Sequence, residues 1–177
     1  MRKALYFLGI LNDSDMDWLV TAGTRRRVDE GAILITEGRP IESVYLVIDG
    51  AFSVRTAALG AKDLARLMSG EVIGEMSFVD RTLPSATVRA LESSCVLDIP
   101  RQRLRAKLAD DSAFAARFYR AVAMFLSTRL RVANAALAGR PAADNEAEMD
   151  FDSLDDISMA GARFDWIQRR LNSAQER

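Results

Sequence analysis

The sequence predicts an α+β protein: an antiparallel β-roll (a double-stranded β-helix, jelly-roll-like) with an N-terminal helix, a short helix inserted in the roll and a long helix behind it. Three observations carry this prediction. Between Thr24 and Ile99, short β-rich runs are punctuated by turn residues at Glu37-Gly38-Arg39-Pro40, Asp49-Gly50 and Ser69-Gly70, as expected of successive antiparallel strands. On both sides of that region the apolar spacing becomes helical. Within it, Gly74–Ala90, GEMSFVDRTLPSATVRA, couples a glycine turn and a helix start to a following strand. With 177 residues, 49% hydrophobic and 28% charged, the chain suffices for one well-buried core and an appendage.

Taking the elements in order, the N-terminal run to Leu11 is short, has no small-residue cleavage site and reads as a packed leader segment. Asn12 caps a helix through about Ala22, with acids in the first turn that suit its dipole, and Gly23 ends it. Arg25, Arg26 and Arg27 read as a solvated strand edge. The nearly continuous apolar run Ser43–Asp49 predicts a strand covered on both faces, and Asp49-Gly50 predicts a hairpin turn. Cys95, the sole cysteine, lies in a strand-like run and is expected to be a buried, inert thiol. After Pro100, a short basic helix with Arg101, Arg103 and Arg105 runs to Asp110-Asp111, and a longer helix follows from Ser112 to about Ala138.

On that long helix, Phe118, Val122, Phe125, Arg129, Val132 and Ala136 alternate steps of four and three, an apolar stripe interrupted by one arginine. The stripe suits either a dimer seam over 112–138 or packing on the roll. Past Gly139, Arg140-Pro141 breaks the helix, and the stretch to Gly161 carries Asp144, Glu146, Glu148, Asp150, Asp152, Asp155 and Asp156 with no lysine or arginine. It reads as an acidic linker over 139–162, solvated or docking on a basic protein partner. Phe164, Ile167 and Leu171 share one face and predict a short amphipathic helix over 163–177.

The chemistry concentrates at Gly74–Ala90. A helix start points unpartnered amides and a partial positive charge at an anion. Gly74 lets the backbone come close, Glu75 is placed to accept from a ribose hydroxyl, and Ser77 and Ser85 offer hydroxyls. Period-two alternation puts Ser85, Thr87 and Arg89 on one face of the following strand.

This segment resembles the phosphate-binding cassette of the cyclic-nucleotide-binding domains found in the catabolite activator protein and in protein kinase A regulatory subunits. Val28–Val54, with Gly31, Gly38 and Gly50 between apolar runs, resembles the family's β-roll, and the resemblance covers roughly Asn12 to Leu137. It implies one such domain over 1–138, long helix included, and a cyclic nucleotide ligand such as cAMP or cGMP. The ligand-binding residues implied are Gly74, Glu75, Met76, Ser77, Ser85, Ala86, Thr87 and Arg89. In relatives the long helix lies over the base, where Ser127 and Thr128 would meet a purine, and often carries dimerisation. One position departs from the pattern: the residue before the Ser-Ala pair, typically an arginine that pairs with the cyclic phosphate, is Pro84. Arg81 and Arg89 are the nearby candidates to replace it.

The absence of histidine removes the commonest general base and metal ligand. Glu75 and Asp80 stand five residues apart with no nucleophile or base beside them, so no enzyme, catalytic residue or metal site is expected. A net charge of −1 gives no global attraction to nucleic acid. The acidic stretch after the long helix does not read as a helix-turn-helix domain, so direct DNA binding is not expected. No run approaches the ~18 apolar residues of a membrane span, and a cytoplasmic protein is expected. Two functions stay open. One is a stand-alone regulatory sensor that binds a nucleotide or related phosphate in the cassette and signals through the long helix. The other is a degenerate, ligand-free module working through protein contacts. The order Gly74, Glu75, Ser85, Ala86 favours the sensor.

Overall fold

A computed structural model describes residues 6–60, 63–137 and 154–173. Helices α1 (Tyr6–Ile10) and α2 (Asp13–Ala22) precede strands β1 (Thr24–Val28), β2 (Ile33–Ile35), β3 (Ser43–Asp49), β4 (Ala51–Arg55), β5 (Ala65–Met68) and β6 (Val72–Ile73). Helix α3 (Glu75–Val79) then leads to β7 (Thr87–Ala90) and β8 (Ser94–Pro100), followed by α4 (Arg101–Asp110), α5 (Ser112–Leu137) and α6 (Leu154–Ser173). The strands form two four-stranded sheets, β1-β8-β3-β6 and β2-β7-β4-β5, with every pairing antiparallel. This is the jelly-roll-like roll that the punctuated strands predict.

Strand β3 shows why its sequence lacks polar alternation. Val44, Leu46 and Ile48 join the helices on one face, while Tyr45 and Val47 join the second sheet on the other. The first sheet is therefore a wall between two apolar layers, and β8 follows the same rule with Cys95, Leu97 and Ile99 on the helix side and Val96 on the other. Asp49-Gly50 is not a hairpin. β3 and β4 lie in different sheets, and the pair forms the corner between them. Gly50 has φ +93°, and a Cβ there would overlap the Ser94 side chain, so the residue answers to a crowded corner rather than to a two-residue strand connection.

Asn12 caps α2 as expected: its side chain accepts from Asp15 N–H, and Asp15 Oδ2 accepts from Asn12 N–H, each at 2.9 Å. Asp15 is buried and also holds the Arg117 guanidinium through two hydrogen bonds of 2.6 and 2.8 Å, clamping α2 to α5. Asp111 separates α4 from α5 and accepts from Phe114 N–H at 2.8 Å. The α5 stripe is consumed within the chain, since Phe118, Val122 and Phe125 are all buried. The face left open is turned by one residue, with Tyr119, Ala123, Leu130 and Ala133 exposed and Leu126 half-buried.

The last helix starts at Leu154, nine residues ahead of the boundary at 163 expected from sequence. Asp155 and Asp156 fall in its first turn, where carboxylates favour a helix start, and Ala160 extends the buried spacing of Ile167 and Leu171 backwards. The same acids that read as linker therefore suit a helix start. The rest of the expected acidic linker, 139–153, lies outside the described residues. Helix α6 is tied down by Arg163, which donates to Leu8 O at 3.2 Å and Gly9 O at 3.0 Å, and by Gln168 Nε2, which donates to Ile48 O at 2.9 Å.

Candidate functional site

Between β6 and β7 the chain makes a turn at Gly74, the short helix α3 and a loop over 80–86. Gly74 caps α3 in the left-handed region with φ +87°, and a Cβ there would approach Ile41 Cδ1 to 2.9 Å. Conformation and space both require glycine. The loop is braced: Asp80 accepts from Thr82 N–H at 2.9 Å and Thr82 Oγ1–H at 2.7 Å, which lowers its pKa, and Gly38 N–H donates to Pro84 O at 2.9 Å. Arg101 holds the back of α3, donating to Ser77 O and to Ile41 O (3.1 Å), with its guanidinium 5.5 Å from the Phe78 ring centroid.

Beneath the cassette lies a cavity of about 110 Å³. Its inner wall is apolar, from Ile35, Val54, Leu67, Ile73 and Val88, and its mouth is set by Glu75, Met76, Ser77, Asp80, Thr82, Leu83, Pro84, Ser85, Ala86 and Arg129. Of the residues expected from sequence, Gly74, Glu75, Met76, Ser77, Ser85 and Ala86 line this cavity, whereas Thr87 and Arg89 do not. The reason is the pleat. Val88 and Ala90 of β7 point inward, so Thr87 and Arg89 point out, and Ser85 precedes the strand and escapes its alternation. Thr87 Oγ1 accepts from Glu37 N–H at 3.1 Å, and Arg89 is exposed opposite Ser53. Arg81, at φ +59°, is exposed and is not part of the lining either. Neither arginine proposed to replace the one missing at Pro84 reaches the cavity. Ser127 is exposed, and Thr128 Oγ1 donates to Met124 O of its own helix.

The residue that does reach it is Arg129, the arginine interrupting the α5 stripe. Its Nη1 donates to Glu75 Oε1 at 2.8 Å, and its guanidinium carbon sits 5.2 Å from the Phe125 ring centroid. Glu75 is 2% exposed, and burial raises its pKa, opposed by Arg129 and by the amides of Glu75 and Met76. Nearby Glu71 is also raised by burial and lowered by Arg129, and its Oε2 is buried without a hydrogen-bond partner. Phe78 of α3 meets Phe118 of α5 edge-on at 6.0 Å, so cassette and long helix touch through an ion pair and through a ring contact. Sequence spacing could not pair Glu75 with Arg129, which lie far apart in the chain. The available signal was a lone charge on an otherwise apolar face.

Residues 25–111 match the family described as the cyclic nucleotide-binding domain, and this part of the chain belongs to that family. The antiparallel sheets with their N-terminal helix and long helix match the fold of solved structures. A cyclic nucleotide-binding domain from Methylobacillus flagellatus superposes with a TM-score of 0.70 at 19% identity, over 77% of this chain and 82% of that one. The catabolite activator protein of Thermus thermophilus gives 0.60 at 22% identity, over 93% and 85%. The N-terminal domain of a Streptomyces coelicolor transcriptional regulator gives 0.57 at 28% identity, over 79% and 91%. Among curated proteins, an uncharacterized NTE family protein of Mycobacterium tuberculosis is 36% identical over 98 residues, which is 54% of this chain but only 16% of that protein. The Pseudomonas aeruginosa Pycsar effector PaPycTIR is 35% identical over 82 residues, 46% of this chain and 26% of the effector. The chain thus spans only a small part of these relatives. Domains of this family are generally regulatory and not catalytic. Among the described residues, no helix is long and apolar enough to cross a membrane, and no cluster of three or more His, Cys, Asp or Glu is placed to hold a metal ion.

Proposed function

We propose that this domain is a regulatory sensor in which a nucleotide or related phosphate ester, of the cAMP or cGMP kind, enters the cavity beneath the cassette and repositions α5. The observation that carries this reading is the Glu75–Arg129 ion pair, which joins the cavity lining directly to the long helix. Ligand pockets usually measure about 300–1,000 Å³, so a nucleotide fits only if the 110 Å³ cavity widens. Arg129 and the α5 turn bearing it form the wall that can yield, because the opposite wall is the sheet. A ligand that prefers the widened state shifts the population toward it. The ribose hydroxyl then donates to Glu75, and Ser85 donates to the phosphate.

The output we assign to α5 is pairing with a second copy. Tyr119, Ala123, Leu126, Leu130 and Ala133 repeat at alternating steps of four and three on its open face, and Leu130 is 62% exposed. Calorimetric titration of unfolded and refolded protein with cAMP, cGMP and a cyclic dinucleotide tests the sensor. Saturable binding supports it. Absence of heat with all three transfers the role to the alternative, a ligand-free interaction module.

A further inference from the structure

Resting on the sensor reading, we propose that Arg129 supplies the positive charge for the ligand's phosphate, leaving Glu75 for the ligand as α5 moves and so replacing the cassette cation absent at Pro84. Among the described residues, Arg129 is the only cation lining the cavity. Its present partner is an anion owned by the protein. The Glu75 carboxylate is buried at the start of α3, held by Arg129 and stabilised by the amides of Glu75 and Met76. That set of donors is what a phosphate ester would otherwise use, since a guanidinium binds carboxylate and phosphate oxygens alike. The Phe125 ring below the guanidinium holds it over the cavity during the exchange. Because the cation belongs to α5 and not to the cassette loop, binding the phosphate is itself the act that moves the helix.

The exchange has a second consequence. Among the described residues, the charged groups acting on Glu75 and its neighbour Glu71 are Arg129 from α5 and the two carboxylates on each other, Glu71 lying in the turn ahead of β6, with Asp80 at the end of α3 on the same cavity lining. Once Arg129 faces the ligand, Glu71 and Glu75 lose the cation that opposes their desolvation, which pushes both carboxyls further up and favours proton uptake by the pair. The phosphodiester stays singly charged through neutral pH. Ligand affinity therefore rises as pH falls.

The test titrates refolded wild type, Arg129→Gln and the double variant Glu75→Gln/Arg129→Gln with cAMP and with adenosine, at pH 6, 7 and 8 and in buffers of different ionisation enthalpy. The double variant does not strand the Glu75 carboxylate and so guards against misfolding from that cause. Both variants are expected to lose about ten- to a hundredfold in cAMP affinity, the worth of one charge-assisted hydrogen bond; Arg129→Gln is expected to leave adenosine affinity unchanged, while the double variant, which also alters the ribose acceptor, is expected to lose more for cAMP than for adenosine. Proton uptake and its pH dependence are expected in wild type and absent in the double variant. Wild-type binding that both variants retain overturns the exchange while the sensor stands. Equal loss of cAMP and adenosine in Arg129→Gln also overturns it, since Arg129 would then act only by positioning α5. Absence of cAMP binding to wild type overturns the exchange, and the sensor reading falls with it only where cGMP and the cyclic dinucleotide also give no heat.

Discussion

Replacing Arg129 with methionine keeps the stem over Phe125 but strands Glu75, a carboxylate 2% exposed, without its cation. Breaking a buried pair by removing one partner costs about 3–5 kcal/mol. Arg129 is itself 31% exposed, so the pair sits at the cavity mouth, and the lower end of that range applies. The carboxylate also has an escape, which is to bind a proton. Starting from its ordinary value of 4.5, protonation at pH 7 spans two and a half pH units. At 1.36 kcal/mol per unit that sets a ceiling of about 3.4 kcal/mol. At pH 5 the same ceiling falls to about 0.7 kcal/mol. The sign follows from linkage. A carboxyl whose pKa is raised on folding contributes stability that is present below the unfolded value and lost as pH rises through the folded one. Arg129→Met raises that folded value further, so its destabilisation is expected to be about 2–3 kcal/mol at pH 7 and under about 1 kcal/mol at pH 5, read by urea unfolding. Adding Glu75→Gln should remove most of the pH dependence, the remainder belonging to Glu71, which loses the same cation. An equal loss at both pH values, or a double variant as unstable as the single one at pH 7, would refute the assignment of the cost to Glu75.

Glu71→Gln is expected to stabilise the domain by about 1 kcal/mol at pH 7 and not at pH 4.5, because it removes a charge that burial disfavours and whose Oε2 lacks a partner; the same unfolding curves read it. Pro84→Arg restores a cation beside Ser85 while keeping the carbonyl that Gly38 uses, and should tighten cyclic nucleotide binding about ten- to a hundredfold by calorimetry. Leu130→Glu, on the open face of α5, should convert a dimer into a monomer in light scattering with the melting temperature unchanged. Gly50→Ala forces a side chain into φ +93° and onto Ser94, and should cost about 2–4 kcal/mol in thermal unfolding with strand content retained below the transition.

What the sequence made legible was whatever depends on neighbours in the chain. The Asn12 cap needs Asp15, three residues on, and the break at Asp111 needs Phe114, again three residues on. The cassette is likewise a local object, and its glycine, helix start and Ser-Ala pair all fall where the spacing puts them. Errors arose where a local pattern has two tertiary solutions. Asp49-Gly50 turns a chain as readily between sheets as between paired strands. Serine, threonine and arginine at alternate positions share a face only once the strand has begun, and Ser85 stands before it. An apolar stripe on α5 does not say whether its own core or a second copy covers it, and here Phe118, Val122 and Phe125 go inward.

Arg129 illustrates the same limit, and on the proposed exchange it changes the meaning of Pro84. Within the cassette alone, a proline at the arginine position reads as lost affinity for phosphate, because the search for a replacement runs along the neighbouring sequence to Arg81 and Arg89. Both prove to be outside the cavity. The fold instead brings a cation from 54 residues away in the chain, on a helix that no local pattern connects to the cassette. In the proposed exchange the cation is carried on the helix itself: an anion that drew Arg129 from Glu75 would draw α5 with it, and the carboxylates left behind would set how strongly the cavity opposes that exchange.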